Sequence, residues 1–205
     1  MIKDYKGILI ALEGIDGSGK STQWKRLGEW LKSAQEREVV MSVEPTNGPH
    51  GQALRDAWAS GIRLPVEEEI ELFVLDRDDH LDEVILPALE KGSIVLLDRY
   101  YYSSAVYQGT QPDQSIEAVL REFEDFCPRA DLMLLFDLPA HVAMQRMHAG
   151  RSVLDVMEKL DNLRKVRSAY LRLGRKETRI VDAALSEELV WEQTWKIVES
   201  FLAER

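Results

Sequence analysis

The 205-residue chain is 45% apolar and 30% charged, with a formal net charge of -10. That length suits one α/β domain with a real hydrophobic core. The acidic balance excludes a broad, non-specific grip on DNA or RNA, which needs a basic surface, but leaves room for a local positive pocket holding a small phosphate ligand. Cys127 is the only cysteine, so no internal disulfide forms and a reducing cytoplasm is expected. The apolar run Ile8–Leu12 is too short to cross a membrane and leads straight into Glu13, so no membrane association is expected.

In chain order, Gly7–Glu13 reads as a buried strand and Lys20–Ala34 as a helix. Val39–Val43 follows as a strand, then helices over Gly51–Ala59 and Val66–Lys91, the second interrupted near Glu83 by Pro87. Beyond these come a strand at Ser93–Leu97, a helix at Ser115–Phe126 and a strand at Leu132–Leu138. Helices over Ala140–His148 and Leu154–Leu173 are separated by Gly150–Val153, a loop or frayed helix end. A strand at Arg179–Val181 and a helix at Glu187–Leu202 complete the chain. Continuously apolar strands alternating with helices predict an α/β fold, a five-stranded parallel sheet covered by helices on both faces of a single domain. Ligands in such sheets bind beyond the carboxyl ends of the strands, where Asp16, Glu44 and Asp98 stand.

Gly14-Ile15-Asp16-Gly17-Ser18-Gly19-Lys20-Ser21 matches the phosphate-binding pattern G-x-x-x-x-G-K-[ST], between a strand and a helix. Its glycines let the backbone turn consecutive N–H groups toward phosphate oxygens, and the helix start at Lys20, Ser21 and Thr22 adds its positive dipole end. Lys20 supplies a charge to the β and γ phosphates of ATP, and Ser21 a hydroxyl to Mg²⁺. The motif implies a P-loop NTPase fold and a nucleotide, but no particular reaction. Asp98 closes a buried strand beside this loop, a position from which a carboxylate orients Mg²⁺ through water. Its neighbour Arg99 can bridge the phosphates of donor and acceptor, and fixed cations are the strongest stabilisers of a phosphoryl-transfer transition state. Asp16 inside the loop would repel phosphate unless it meets a cation or a hydroxyl, and the 3′-hydroxyl of an acceptor sugar would suit it.

With these residues in view, the chain resembles the thymidylate kinase family from about Ile8 to Asp182. The similarity is carried by Glu44-Pro45-Thr46, by Phe73 with Asp76-Arg77 and then Pro87-Ala88-Leu89, and by Asp98-Arg99-Tyr100 with Ser103-Ser104-Ala105-Val106-Tyr107-Gln108-Gly109. The resemblance implies transfer of the γ-phosphate of Mg-ATP to dTMP. Phe73 and Arg77, four apart on one helix face, would stack on the pyrimidine and donate to a base carbonyl. Ser103, Ser104 and Gln108 would meet the acceptor, the last two at the polar edge of thymine. Tyr107 would crowd the sugar 2′ position, Glu44 and Pro45 would shape the site, and Arg55 would hold the dTMP phosphate with Arg99. A mobile lid is expected near 146–158. Gly17 stands where one type of the family carries arginine, so a lid arginine is expected to supply the catalytic cation: Arg151, with Arg146 as the alternative and an ATP contact. Val156 stands where an arginine is common, and Asp155 and Glu158 resemble the acidic pair of the lid. Val181-Asp182-Ala183 is similar to the segment that meets adenine. The family also implies a homodimer.

Two other functions compete on the residues alone. One is a kinase for UMP or dUMP, which differs only by a small apolar pocket. The other is a non-catalytic nucleotide switch, which would leave Phe73, Arg77, Ser104 and Gln108 without purpose; the guanine-reading pattern Asn-Lys-x-Asp is absent. The four histidines read as incidental.

Overall fold

The structure, a computed structural model, describes residues 5–61, 64–147 and 153–205, without the side chains of 153–158. Five parallel strands, β1 (Ile8–Glu13), β2 (Val39–Val43), β3 (Ile94–Asp98), β4 (Leu132–Asp137) and β5 (Thr178–Asp182), form one sheet in the order β2-β3-β1-β4-β5. The helices are α1 (Lys20–Ala34), α2 (Pro49–Ala59), α3 (Val66–His80), α4 (Leu86–Lys91), α5 (Tyr101–Gly109), α6 (Ile116–Glu124), α7 (Ala140–Met147), α8 (Val153–Arg172) and α9 (Glu187–Ala203).

The central strand explains the apolar runs. Ile8, Ile10 and Leu12 of β1 pack with Leu27 and Leu31 of α1, Val166 of α8 and Val198 of α9. Leu9 and Ala11 face the other way, onto Leu54, Phe73, Leu89 and Phe123. Side chains alternate across a strand, so a strand covered on both faces must be apolar at every position.

The interruption expected near Glu83 is present, and one helix, α5, departs from the pattern read along the chain. The expected helix Val66–Lys91 is broken by a π-helical turn at Leu81–Ile85, just before Pro87. Proline has no N–H to give the preceding turn, and a wide turn accommodates the lost bond. Helix α5 escapes any periodic reading because its residues are buried nearly all round, Tyr107 alone being only half-buried.

The strand order reverses around β1, and the register sets Val43, Asp98 and Leu12 side by side. Glu44, Arg99 and Glu13 therefore leave adjacent strands at one level, at the carboxyl edge where such sheets bind ligands.

Candidate active site

The loop after β1 turns through positive φ at Gly14, Gly17 and Gly19 (146°, 79° and 83°) and delivers Lys20 as the first residue of α1. Gly19 offers no side chain to cap that helix, so the first N–H groups of α1 point at the crevice. A Cβ on Gly17 would sit 2.5 Å from the carbonyl oxygen of Ala143 in α7, so the position has no room for a side chain, an arginine included. Ile15 belongs to the core, and its contribution to the loop is its backbone. Lys20 is 7% exposed. Burial lowers its ammonium to about 8; Arg99 adds to the fall, and Asp98, Asp16 and Glu13 oppose it.

The hydroxyl of Ser21 donates to Asp98 Oδ2 in a short contact, and Asp98 Oδ1 is buried without a partner among the described residues. The two residues expected at the metal thus touch. Arg99 has φ 71°, and its guanidinium reaches Asp16 Oδ1 at 2.5 Å, Ser103 Oγ at 2.9 Å and the Tyr107 hydroxyl at 3.4 Å.

Of these groups Asp16, Arg99, Ser103 and Tyr107 line one side of a cavity of about 330 Å³. Its far wall is Phe73 and Arg77 from α3, Ser104 and Gln108 from α5, and Glu44 and Pro45 from the loop after β2. Arg77 is 1% exposed; its Nε and Nη2 donate to Glu44 Oε2 at 2.8 and 2.6 Å, and Nη2 also donates to Ser104 Oγ at 3.2 Å. Burial would raise the Glu44 carboxyl, but Arg77 and then His80 hold it below the usual carboxylate range. Arg77 Nη1, a donor, and Gln108 Oε1, an acceptor, are both buried without partners among the described residues. An unmet donor and an unmet acceptor in one cavity are what a planar base with a carbonyl and an imide N–H would satisfy.

The remaining expected residues stand as follows, some away from the cavity. Arg55 does not line the cavity; it donates to the carbonyl oxygens of Pro45 (2.8 Å) and Thr46 and to Asn47 Oδ1 (3.1 Å), tying down the Glu44–Asn47 loop. Ser103 reaches the cavity wall, but its hydroxyl is engaged by Arg99, Glu13 and Tyr170. Asp182 turns its carboxylate to the N–H of Ala184. Ala183, its neighbour, lines a second cavity of about 240 Å³ with Ser18, Gly19, Thr22 and Arg146. Arg146 Nη1 donates to Ala183 O at 2.9 Å. Arg151 lies outside the described residues, as do the side chains of Asp155, Val156 and Glu158.

Other site groups were not foreseen. His80, read as incidental, is 4% exposed and joins Glu44 Oε1 (3.0 Å) to Ser42 Oγ (2.8 Å). Glu69 bonds Gln108 Nε2 at 3.0 Å and Trp58 Nε1 at 2.8 Å, and both Glu69 and Trp58 line the cavity. In sequence Glu69 is the third of three consecutive glutamates at a helix start, indistinguishable from a solvated turn. The spacing of His80, three and four residues after Arg77 and Asp76, was the one available signal.

Residues 12–194 match the family model described as thymidylate kinase. The chain is 43% identical, over 97% of its length and 86% of the relative's, to the thymidylate kinase of Xanthomonas euvesicatoria pv. vesicatoria (strain 85-10). It is 41% identical to that of Xanthomonas campestris pv. campestris (strain B100), over the same shares of the two chains. It is also 41% identical to the probable thymidylate kinase of Pyrococcus abyssi (strain GE5 / Orsay), over 94% of this chain and 96% of that one.

Proposed function

The chain belongs to the thymidylate kinase family and moves a phosphoryl group from ATP to dTMP, and from that premise we propose how its own residues divide the work. The observation that carries the proposal is the 330 Å³ cavity, with Asp16 and Arg99 at one end and Phe73, Arg77 and Gln108 at the other. The separation suits a nucleotide lying with its phosphate toward Lys20 and its base against α3.

In this reading Phe73 stacks on the pyrimidine, Arg77 Nη1 donates to a base carbonyl, and Gln108 Oε1 accepts from the base N–H. Glu44 is a support, fixing the Arg77 plane. Asp16 accepts from the sugar 3′-hydroxyl while it holds Arg99. Tyr107, stacked on the Arg99 guanidinium at 5.1 Å, closes the sugar side and disfavours a 2′-hydroxyl. Arg55 acts on the acceptor through the loop it ties or by swinging from it.

The γ-phosphoryl passes in line to an oxygen of the dTMP phosphate, already anionic, so no general base is needed. Lys20 and Arg99 meet charge that spreads over the transferring oxygens, and being held beforehand they cost no reorganisation at that moment. Asp98 Oδ1, without a partner among the described residues and beside Ser21, fits a hydrated Mg²⁺, an ion that keeps several waters and takes few protein ligands. Ser21 and Asp98 would hold it, where it would neutralise β- and γ-phosphate charge. Ser18, Gly19, Thr22, Arg146 and Ala183 border the donor nucleotide. We read residues 146–158 as a lid on a single domain, with Arg151 brought to the donor phosphates on closing.

No helix among the described residues is long and apolar enough to cross a membrane. A cytoplasmic homodimer is the setting that the family resemblance implies, and the buried Cys127, its thiol pushed up to about 12 by burial, fits a reducing compartment. The test is ADP formation from ATP with dTMP, dUMP and UMP in turn. The reading expects dTMP to have the highest kcat/KM; turnover of ATP that ignores the acceptor would defeat it.

A further inference from the structure

Glu13, the last residue of β1, is 0% exposed one position before the phosphate loop, and the reaction outlined above gives its carboxylate no task. Its Oε1 accepts from the backbone N–H of Tyr100 at 2.8 Å. Its Oε2 accepts from Ser103 Oγ at 2.6 Å and from the Tyr170 hydroxyl at 2.8 Å. Ser103 Oγ in turn accepts from Arg99 Nη1 at 2.9 Å and lies 2.8 Å from the Tyr170 oxygen.

A carboxylate is costly to bury unless it is hydrogen-bonded and charge-compensated, and every partner here surrounds Arg99. One is the N–H of the next residue; another is the hydroxyl that receives the guanidinium. The backbone N–H of Arg99 itself donates to Leu12 O at 3.0 Å, so Leu12 and Glu13 grip two consecutive amides. Between them Arg99 holds φ 71°, a left-handed conformation that a non-glycine residue keeps only when its surroundings over-determine it. Burial raises the Glu13 carboxyl, while Ser103, Arg99, Tyr170 and the Tyr100 amide oppose that rise. Tyr170 brings α8 into the same knot.

We propose that Glu13 is a positioning residue for phosphoryl transfer, holding the backbone and guanidinium of Arg99 in the orientation from which Arg99 reaches the transferring phosphate. The proposal rests on the reading of Arg99 as the phosphate clamp. Glu13 touches neither nucleotide; it acts through Tyr100 N–H and Ser103.

The test compares Glu13→Ala, Glu13→Gln, Arg99→Ala and the Glu13→Ala/Arg99→Ala pair in the full chain, by melting temperature and by kcat and KM for both nucleotides. Glu13→Ala is expected to lower kcat about 10²-fold, as a misplacement of about 1 Å does, with much smaller changes in KM. Glu13→Gln keeps an acceptor for Tyr100 and offers an amide to two hydroxyls that can rotate to accept, and it is expected to recover most of the loss. The pair should be no slower than Arg99→Ala, because the two act as one unit. A folded Glu13→Ala protein with wild-type kcat, equal losses in Ala and Gln, or losses that multiply in the pair would each overturn the proposal. If Glu13→Ala does not fold, Tyr170→Phe removes one of the three donors. A fall in kcat that disappears in the Arg99→Ala background is then expected, and an unchanged kcat overturns the proposal. An Arg99→Ala enzyme with wild-type kcat would overturn the clamp reading itself. That result is distinct from failure of Glu13 alone, in which Arg99→Ala is slow and Glu13→Ala is not.

Discussion

Arg77 and Glu44 form an ion pair with both side chains 2% exposed, two guanidinium nitrogens converging on a single carboxylate oxygen at the back of the acceptor cavity. A pair so placed both lines the cavity and acts as a stability element. Arg77→Ala leaves Glu44 buried with His80 as its remaining partner, and removing one member of a buried pair costs about 3–5 kcal/mol. Phe73→Ala removes a ring from the same wall without stranding a charge. Both should weaken dTMP binding, Phe73→Ala by about 1–3 kcal/mol, with ATP binding little changed. Arg77→Ala should in addition unfold at lower denaturant than Phe73→Ala. Calorimetric titration and urea melts of both variants check this; equal loss for ATP and dTMP would remove these residues from the acceptor site.

Lys20 links function to pH. Its ammonium, lowered to about 8 by burial, should lose its proton in the free enzyme as pH rises through that value. kcat/KM for ATP, which reports the free enzyme, should fall above pH about 8. Bound phosphates favour the charged form, so kcat should hold to higher pH. For stability the sign is opposite. Between about 8 and the ordinary 10.5 the unfolded chain holds the proton that the folded chain has lost, so stability from this group rises with pH across that window. Lys20→Met should remove that rise and, at any pH, lower kcat by about 10²–10³. A flat kcat/KM profile from pH 7 to 10 would contradict the assignment.

Gly17 and Gly19 both have positive φ but differ in surroundings. A Cβ on Gly17 meets the Ala143 carbonyl at 2.5 Å, whereas one on Gly19 meets nothing within 4 Å among the described residues. Gly19→Ala should therefore cost only backbone strain, about 1–2 kcal/mol, and Gly17→Ala clearly more, since α7 must also shift. Thermal melts of the two variants decide it, and equal shifts would mean that α7 yields freely.

Arg146 and Arg151 should separate by kinetic signature under the proposal of a lid over 146–158. Arg146, held to the Ala183 carbonyl beside the second cavity, should on change to alanine raise KM for ATP with a modest effect on kcat. Arg151→Ala should instead lower kcat by about 10²–10³ with little change in dTMP binding, the mark of a contact made mainly in the transition state. A normal Arg151→Ala enzyme and a crippled Arg146→Ala enzyme would reverse the assignment.

The Tyr107 hydroxyl lies 3.4 Å from Arg99 Nη2. Tyr107→Ala should narrow the preference for dTMP over its ribose counterpart, measured as a ratio of kcat/KM values. Tyr107→Phe keeps the ring and should largely preserve that ratio. An unchanged ratio in Tyr107→Ala would mean that the ring does not stand beside the 2′ carbon.

Local chemistry makes the phosphate loop and the sheet legible in the residues themselves. The loop is written in consecutive positions, because glycines at positive φ and a helix start are local requirements. Strands buried on both faces declare themselves as apolar runs, so the parallel sheet follows from β1, β3 and β4 alone. Where burial erases periodicity the sequence is silent, as in α5, whose tyrosines, serines and alanine pack inward on nearly every side. The pairings within the site are equally hidden, since they join residues far apart in the chain: Glu44 to Arg77 and His80, Ser21 to Asp98, Glu13 to Tyr100, Ser103 and Tyr170. A carboxylate in a sequence is only a charge. Which cation, amide or hydroxyl it meets, and whether water can reach it, depends on the strand order that sets the ends of β1, β2 and β3 side by side.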